Sequence, residues 1–427
     1  MIRRIVVEPG SYSCQNMGDV AMMQVAVTRL QELWPSADIE VLTSCPEQLL
    51  RFCPSVTPFS VESRNVWLSG RSLISGVFQK MPSETSILLH RLERQLWLRF
   101  PGVTEIEVCL KAAILRRPKL SPSGFRKRLV GADLLVLSGA GVTNDAFADQ
   151  AYPLLDEMEF VLRAGIPVVA FGRGIGPIAN PALLARVRDV FPRLKLIGLR
   201  EAHTGLPLLE SLGVTRDRIC VTGDDAIELA FRRRPSSLGK GIGVNLRVAD
   251  YAEMGSEMIG KLREPLRLAA RKLNSAFIPI PISLNKADSD LVSIESLLGR
   301  ESSSPQKAIK SPEDVIRLVA GCRVVVTGSY HGGVFALAQG IPVVGLVRSP
   351  YYEQKFSGLQ EQFPRGCQIL DFRQHVTSDE IQAAICNAWD SAEPLREPLL
   401  AAAARQVKLG SAAYQAARNL FPLNPAD

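Results

Sequence analysis

The chain has 427 residues, 46% of them hydrophobic, which suits two globular domains and excludes a disordered polymer. Its formal charge of +7 is concentrated: between Ser60 and Val130 there are 13 Lys/Arg against 5 Asp/Glu, a surplus of 8, so the remainder is nearly neutral. No apolar run reaches the ~18 residues of a membrane-spanning helix, no aromatic-interleaved basic platform points to nucleic acid, and the eight scattered cysteines hold no C-x-x-C pair for zinc.

Met1 to Pro9 carries a basic pair with a run of only three apolar residues between it and Glu8, too short for a signal peptide. With unpaired cysteines, this predicts reduced thiols and a cytoplasmic protein. Ile5-Val6-Val7 reads as the first strand, and Gly10 to Asp19 as a polar loop. Val20, Met23, Val27, Leu30 and Trp34 recur at helical spacing, and Ile39 to Leu42 follows as a strand. This βαβ opening places Asn16, Gly18 and Asp19 in its crossover loop. Asp19 serves there either as a helix cap or as a carboxylate aimed into a cleft.

Ser60 to Lys127 breaks the rhythm and reads as a basic helical insertion, with Leu88-Leu89, Leu92, Leu96 and Trp97 on one helix face. Its charge suits either a solvated surface or a local anionic partner such as a phosphorylated lipid or the inner membrane face. Asp133 to Leu137 is the next strand, running into Gly139 and Gly141. A helix spans about Tyr152 to Arg163, and the strand Pro167 to Ala170 runs into Gly172, Arg173 and Gly174. Strands at Leu196 to Leu199 and Ile219 to Thr222 end at Arg200 and at Gly223-Asp224-Asp225. The G-x-G-x-x-G dinucleotide fingerprint is absent.

Arg232 to Lys240 is the natural linker, dividing a first domain, 1–232, from a second, 238–427. Ile242 to Leu246 is a strand ending at Arg247, and Phe277 to Ile282 another. Ser311-Pro312 opens a helix. Val324 to Val326 is a buried strand followed by a predicted loop, Thr327 to Gly333, containing Ser329, Tyr330, His331 and Gly332; Val334 to Gln339 is the predicted helix after it. Alanine-rich Ala401 to Ala417 is expected to pack back across both domains. The sum is two Rossmann-like, doubly wound α/β domains facing a cleft, the GT-B-like architecture. Ligands bind beyond strand carboxyl ends in such sheets, so His331 sits either where chemistry is done or as a helix cap, with Gly332-Gly333 only allowing close packing. His90, His203 and His375 lack that context.

Taken in order, Asn16-x-Gly18-Asp19, Gly139-x-Gly141, Gly172-Arg173-Gly174-Ile175-Gly176-Pro177, Arg200-Glu201, Gly223-Asp224-Asp225 and Tyr330-His331-Gly332 resemble the polysaccharide pyruvyl transferase family. The resemblance spans about residues 5 to 360 without the insertion. It implies transfer of an enolpyruvyl unit from phosphoenolpyruvate to a glycan or lipid-linked sugar, leaving a pyruvate ketal, with no cofactor and no metal. It further implies His331, Asp19 and Arg200 as catalytic residues. Asn16, Gly18, Gly139, Gly141, Gly172, Arg173, Gly174, Tyr330 and Gly332 would bind substrate. Family members often carry arginine where this chain has Ser329, which leaves Arg173, Arg247 and Lys355 to take the donor's charge. The alternatives are a GT-B sugar-nucleotide glycosyltransferase, or a non-catalytic family member in glycan assembly.

Overall fold

A computed structural model describes residues 2–64, 122–249, 252–255, 257–286, 288–299 and 309–421. The first sheet has seven parallel strands in the order β3-β2-β1-β4-β5-β6-β7. They are β1 Arg4–Pro9, β2 Asp38–Thr43, β3 Thr57–Ser60, β4 Leu134–Ser138, β5 Val168–Arg173, β6 Leu196–Leu199 and β7 Ile219–Val221. The second sheet has five, in the order β12-β11-β10-β8-β9: β8 Gly241–Asn245, β9 Phe277–Pro279, β10 Cys322–Thr327, β11 Val343–Val347 and β12 Cys367–Asp371. Strands buried on both faces need near-continuous β-branched and leucine runs. Leu134, Leu135, Val136 and Leu137 supply one such run, and Val324, Val325 and Val326 another; all are buried.

Each sheet reverses its winding once. In the first, the chain moves outward one way from β1 and the other way from β4, and these two strands pair from Ile5↔Leu134 to Pro9↔Ser138. In the second, the reversal falls between β8 and β10, which pair through Thr327↔Asn245. A crevice opens beyond the carboxyl ends at such a switch point. Here the two crevices face each other. The loop before the first long helix, α1 (Met17–Leu33), is stitched to the second domain by backbone bonds: Met17 N–H to Ile282 O at 2.9 Å and Leu284 N–H to Gln15 O at 2.8 Å.

The C-terminal helix is longer than Ala401 to Ala417. It runs Ala392–Asn419, 28 residues, and lies against both domains. Tyr414 stacks on Phe171 of β5 with ring centroids 3.6 Å apart. Its hydroxyl donates to Asp225 at 2.8 Å, and Arg29 of α1 bonds the same carboxylate at 2.6 Å.

The seven described cysteines are free. No described helix is long and apolar enough to cross a membrane. Most of the basic insertion, including the helix expected around Leu88 to Trp97, lies outside the described residues.

Candidate active site

The facing crevices enclose a cavity of about 260 Å³. From the first domain it is lined by Asn16, Asp19, Gly141 and Arg200, and from the second by Arg247, Ser329, Tyr330, His331 and Lys355.

Asn16 is the cap of α1, its side chain accepting from Gly18 N–H at 3.0 Å and Asp19 N–H at 3.2 Å. Asp19 therefore does not cap the helix. It stands in the first turn, half-buried, with its carboxylate on the cavity wall. Burial raises its pKa, against the pull of His331, Lys355 and Arg200.

The predicted loop from Thr327 to Gly333 is shorter than expected. The helix runs Tyr330–Ala338, so His331, Gly332 and Gly333 belong to its first turn. Gly-Gly is weakly helical by propensity, but every residue of this helix is buried, and packing overrides the preference. The glycines have packing reasons: a Cβ at Gly332 would meet Thr327 Oγ1 at 2.6 Å, and one at Gly333 would meet Leu359 at 3.0 Å.

His331 is wedged between the domains. A Cβ on Gly18 would fall 2.0 Å from its Cγ, so the ring lies directly on the α1 backbone. Its Nε2 faces Asp224 Oδ2 at 3.6 Å. Asp224 also lies 3.5 Å from Arg200 Nη1 and accepts from Ala226 N–H at 2.8 Å. Burial opposes the charge on Asp224, but His331, Arg200 and that N–H hold its pKa below the usual carboxylate range. Asp19 is pushed up and Asp224 down, and two carboxylates separated in this way take different acid–base roles. The sequence motif Gly223-Asp224-Asp225 gave no hint of which aspartate would lie under the histidine; Asp225 turns away to Arg29 and Tyr414.

Arg200 is fully buried. Its Nε bonds Glu201 at 2.9 Å, and its guanidinium stacks 4.3 Å from the Tyr330 ring centroid. Gly174 leaves room for it, since a Cβ there would sit 2.4 Å from Nη2. Arg247 bonds Asp290 at 2.9 Å, the Asp288 backbone oxygen at 2.8 Å and the Asp288 carboxylate.

Some expected binding residues are elsewhere. Arg173 is the last residue of β5, not part of the loop after it. It does not line this cavity. It bonds Gly139 O at 2.6 Å and lines a neighbouring cavity with Glu8, Tyr12 and Arg64. Burial lowers its pKa to about 10 and raises that of Glu8 to about 8. Gly18, Gly139, Gly172, Gly174 and Gly332 are also not on the cavity wall; they shape the turns and close contacts behind it. Tyr351, Asp288, Asp290 and Ser283 line the cavity without having been singled out in the sequence. Among the described residues no group of three or more His, Cys, Asp or Glu is placed to hold a metal ion.

A search among curated proteins finds no match. The fold is similar to that of a UDP-GlcNAc 2-epimerase from Neisseria meningitidis bound to UDP-GlcNAc, at 13% identity and TM-score 0.56, covering 98% of this chain and 99% of that one. S. aureus MnaA in a structure with UDP gives 12% and 0.55, covering 100% of both chains. Arabidopsis thaliana UGT89C1 complexed with UDP gives 12% and 0.52, covering 99% of this chain and 100% of that one. At such identities the likeness establishes the two-domain GT-B-like fold alone. The sequence profile described as Polysaccharide pyruvyl transferase matches residues 16–350, from the cap of α1 to the start of the helix carrying Lys355, and the chain belongs to that family of enzymes.

Proposed function

We propose that the protein transfers the pyruvyl group of phosphoenolpyruvate to two hydroxyls of a sugar in a surface-polysaccharide precursor, forming a cyclic ketal and releasing phosphate. The observation that carries this reading is the convergence of a histidine, the Asp19 carboxylate and three cations on one small cavity, with Asp224, its pKa shifted opposite to that of Asp19, behind the histidine. A small, highly anionic donor needs cations and backbone N–H groups. Arg200, Arg247, Lys355 and the first turn of the helix at Tyr330 are arranged for that.

In this mechanism His331 gives a proton to C3 of the donor, leaving cationic character at C2. Asp224, beneath the ring, stabilises the imidazolium before the transfer. The first sugar hydroxyl adds to C2 and its proton passes to Asp19. The second hydroxyl then displaces phosphate from the same carbon, its proton leaving with the phosphate. Asp19 faces His331 from the other domain, so acceptor and donor meet where the domains touch.

The test is a thermal-shift comparison of phosphoenolpyruvate with UDP- and GDP-sugars. The donor at a hundredfold excess over its Kd stabilises the protein by ~2.7 kcal/mol. Stabilisation by a sugar nucleotide, with none from phosphoenolpyruvate, would instead establish a glycosyltransferase.

A further inference from the structure

Three long cations line the cavity, and their surroundings differ. Arg200 bonds Glu201 and lies within ion-pair distance of Asp224. Arg247 is held by Asp288 and Asp290. Lys355, on the helix Pro350–Gln362, has no carboxylate within ion-pair distance among the described residues. Aromatic faces surround its ammonium instead: the ring centroids of Tyr351, Tyr352 and Tyr330 lie 4.1, 5.3 and 5.4 Å away. The Arg200 guanidinium is its neighbour. A methyl group built on Gly141 would sit 3.0 Å from Arg200 Nη2 and 3.6 Å from Lys355 Cε, so both cations converge on that point.

A half-buried ammonium packed among rings loses part of its hydration, and the rings return only part of that loss. The other charged and titratable groups around it are Glu201 after β6, Asp224 after β7, Asp19 on α1, and His331 beside Tyr330. The three carboxylates draw it toward the charged form from beyond contact range, while Arg200 opposes.

We infer that Lys355 is the cation that receives the donor's anionic group, and that it takes up a proton as the donor binds. This rests on the phosphoenolpyruvate reading above and adds a property to it. In the free protein burial, and then Arg200, lower the lysine to about 7. A donor phosphate or carboxylate beside it favours the ammonium and raises its pKa. Above neutral pH, binding therefore draws a proton from solvent, and affinity falls about tenfold per pH unit until the bound-state pKa is passed. A guanidinium in the same place would stay charged throughout and show no such coupling. The protein thereby holds a strongly anionic ligand without keeping a second fixed positive charge against Arg200 when the cavity is empty.

The experiment is calorimetric titration of phosphoenolpyruvate at pH 8 in two buffers of different ionisation enthalpy, using wild type, Lys355→Met and Lys355→Arg. At that pH the free ligand is fully ionised, so proton uptake belongs to the protein. Wild type takes up close to one proton per donor, and its affinity declines between pH 7 and 9. Lys355→Met binds at least about tenfold more weakly, with no uptake and a flat pH profile. Lys355→Arg keeps the affinity and loses the uptake. Donor binding without proton uptake, or uptake that persists in Lys355→Met, overturns the inference and leaves the donor reading standing. Absence of phosphoenolpyruvate binding at any pH overturns both.

Discussion

At the scale of single residues, the site is built on one contact, the His331 ring against Gly18. His331→Ala removes the proposed proton donor and is expected to lower turnover by ~10²–10⁴-fold, with phosphoenolpyruvate affinity changed much less and far-ultraviolet circular dichroism intact. Full transfer activity in that variant would place the chemistry elsewhere. Asp19 makes a pH prediction. Its pKa lies above the ordinary carboxylate value because of burial, with the nearby cations only partly offsetting this. In its proposed role as base Asp19 works only when ionised, so the acidic limb of kcat/KM is expected above the normal carboxylate range. Asp19→Asn lowers the rate and abolishes that limb; an unchanged limb assigns it to another group. The positions of Asp19, Arg200 and His331 were legible because each lies within one loop of a strand's carboxyl end, the first two in the first sheet and His331 in the second. The direction of Arg173 was not, since whether a residue ends a strand or begins its loop decides which cavity its side chain enters. Asp224 was named in a motif but not understood, because its partners come from two other strands and another domain.

At the scale of elements, the two helices that meet at the cavity are N-terminal ends brought tip to side. α1 is capped by Asn16 and pinned to Ile282 by its first N–H; the helix at Tyr330 then lays its histidine across the gap. Gly18→Ala tests this arrangement directly. By propensity alone, alanine in a first helical turn is neutral or stabilising by about 0.5–1 kcal/mol. The structure makes the opposite prediction for function: the new methyl falls on the imidazole, and a displacement of about 1 Å costs ~10²-fold in kcat/KM. Wild-type kinetics in Gly18→Ala would mean that the ring does not rest there. Most strands of both sheets were readable, since β-branched runs end in glycine or charge; the edge strands β3, which contains Pro58, and β12 were not. The start of the helix at Tyr330 was not, because Gly332-Gly333 carry a loop signature and only the surrounding packing makes them helical.

At the scale of the molecule, two connections cross between the domains: residues 233–240, between Arg232 and Gly241, and the helix Ala392–Asn419 returning to the first sheet. Its anchor is ionic and buried. Arg29 bonds Asp225 at 2.6 Å and also Glu228, with both pairs almost wholly removed from solvent, and its guanidinium lies 4.9 Å from the Tyr414 ring centroid. Breaking a buried pair from one side leaves its partner's charge uncompensated, so Arg29→Met is expected to cost about 3–5 kcal/mol in denaturant unfolding. A loss under 1 kcal/mol would show that the carboxylates find water instead.

That returning helix has a consequence for how the protein is made. Arg29 and Asp225 are translated well before Tyr414, whose hydroxyl and ring lie against them. Until then the Phe171 face is uncovered, and the nascent first domain presents apolar surface to anything nearby. Synthesis of the helix Ala392–Asn419, rather than completion of the first sheet, is therefore the step at which that domain becomes fully folded.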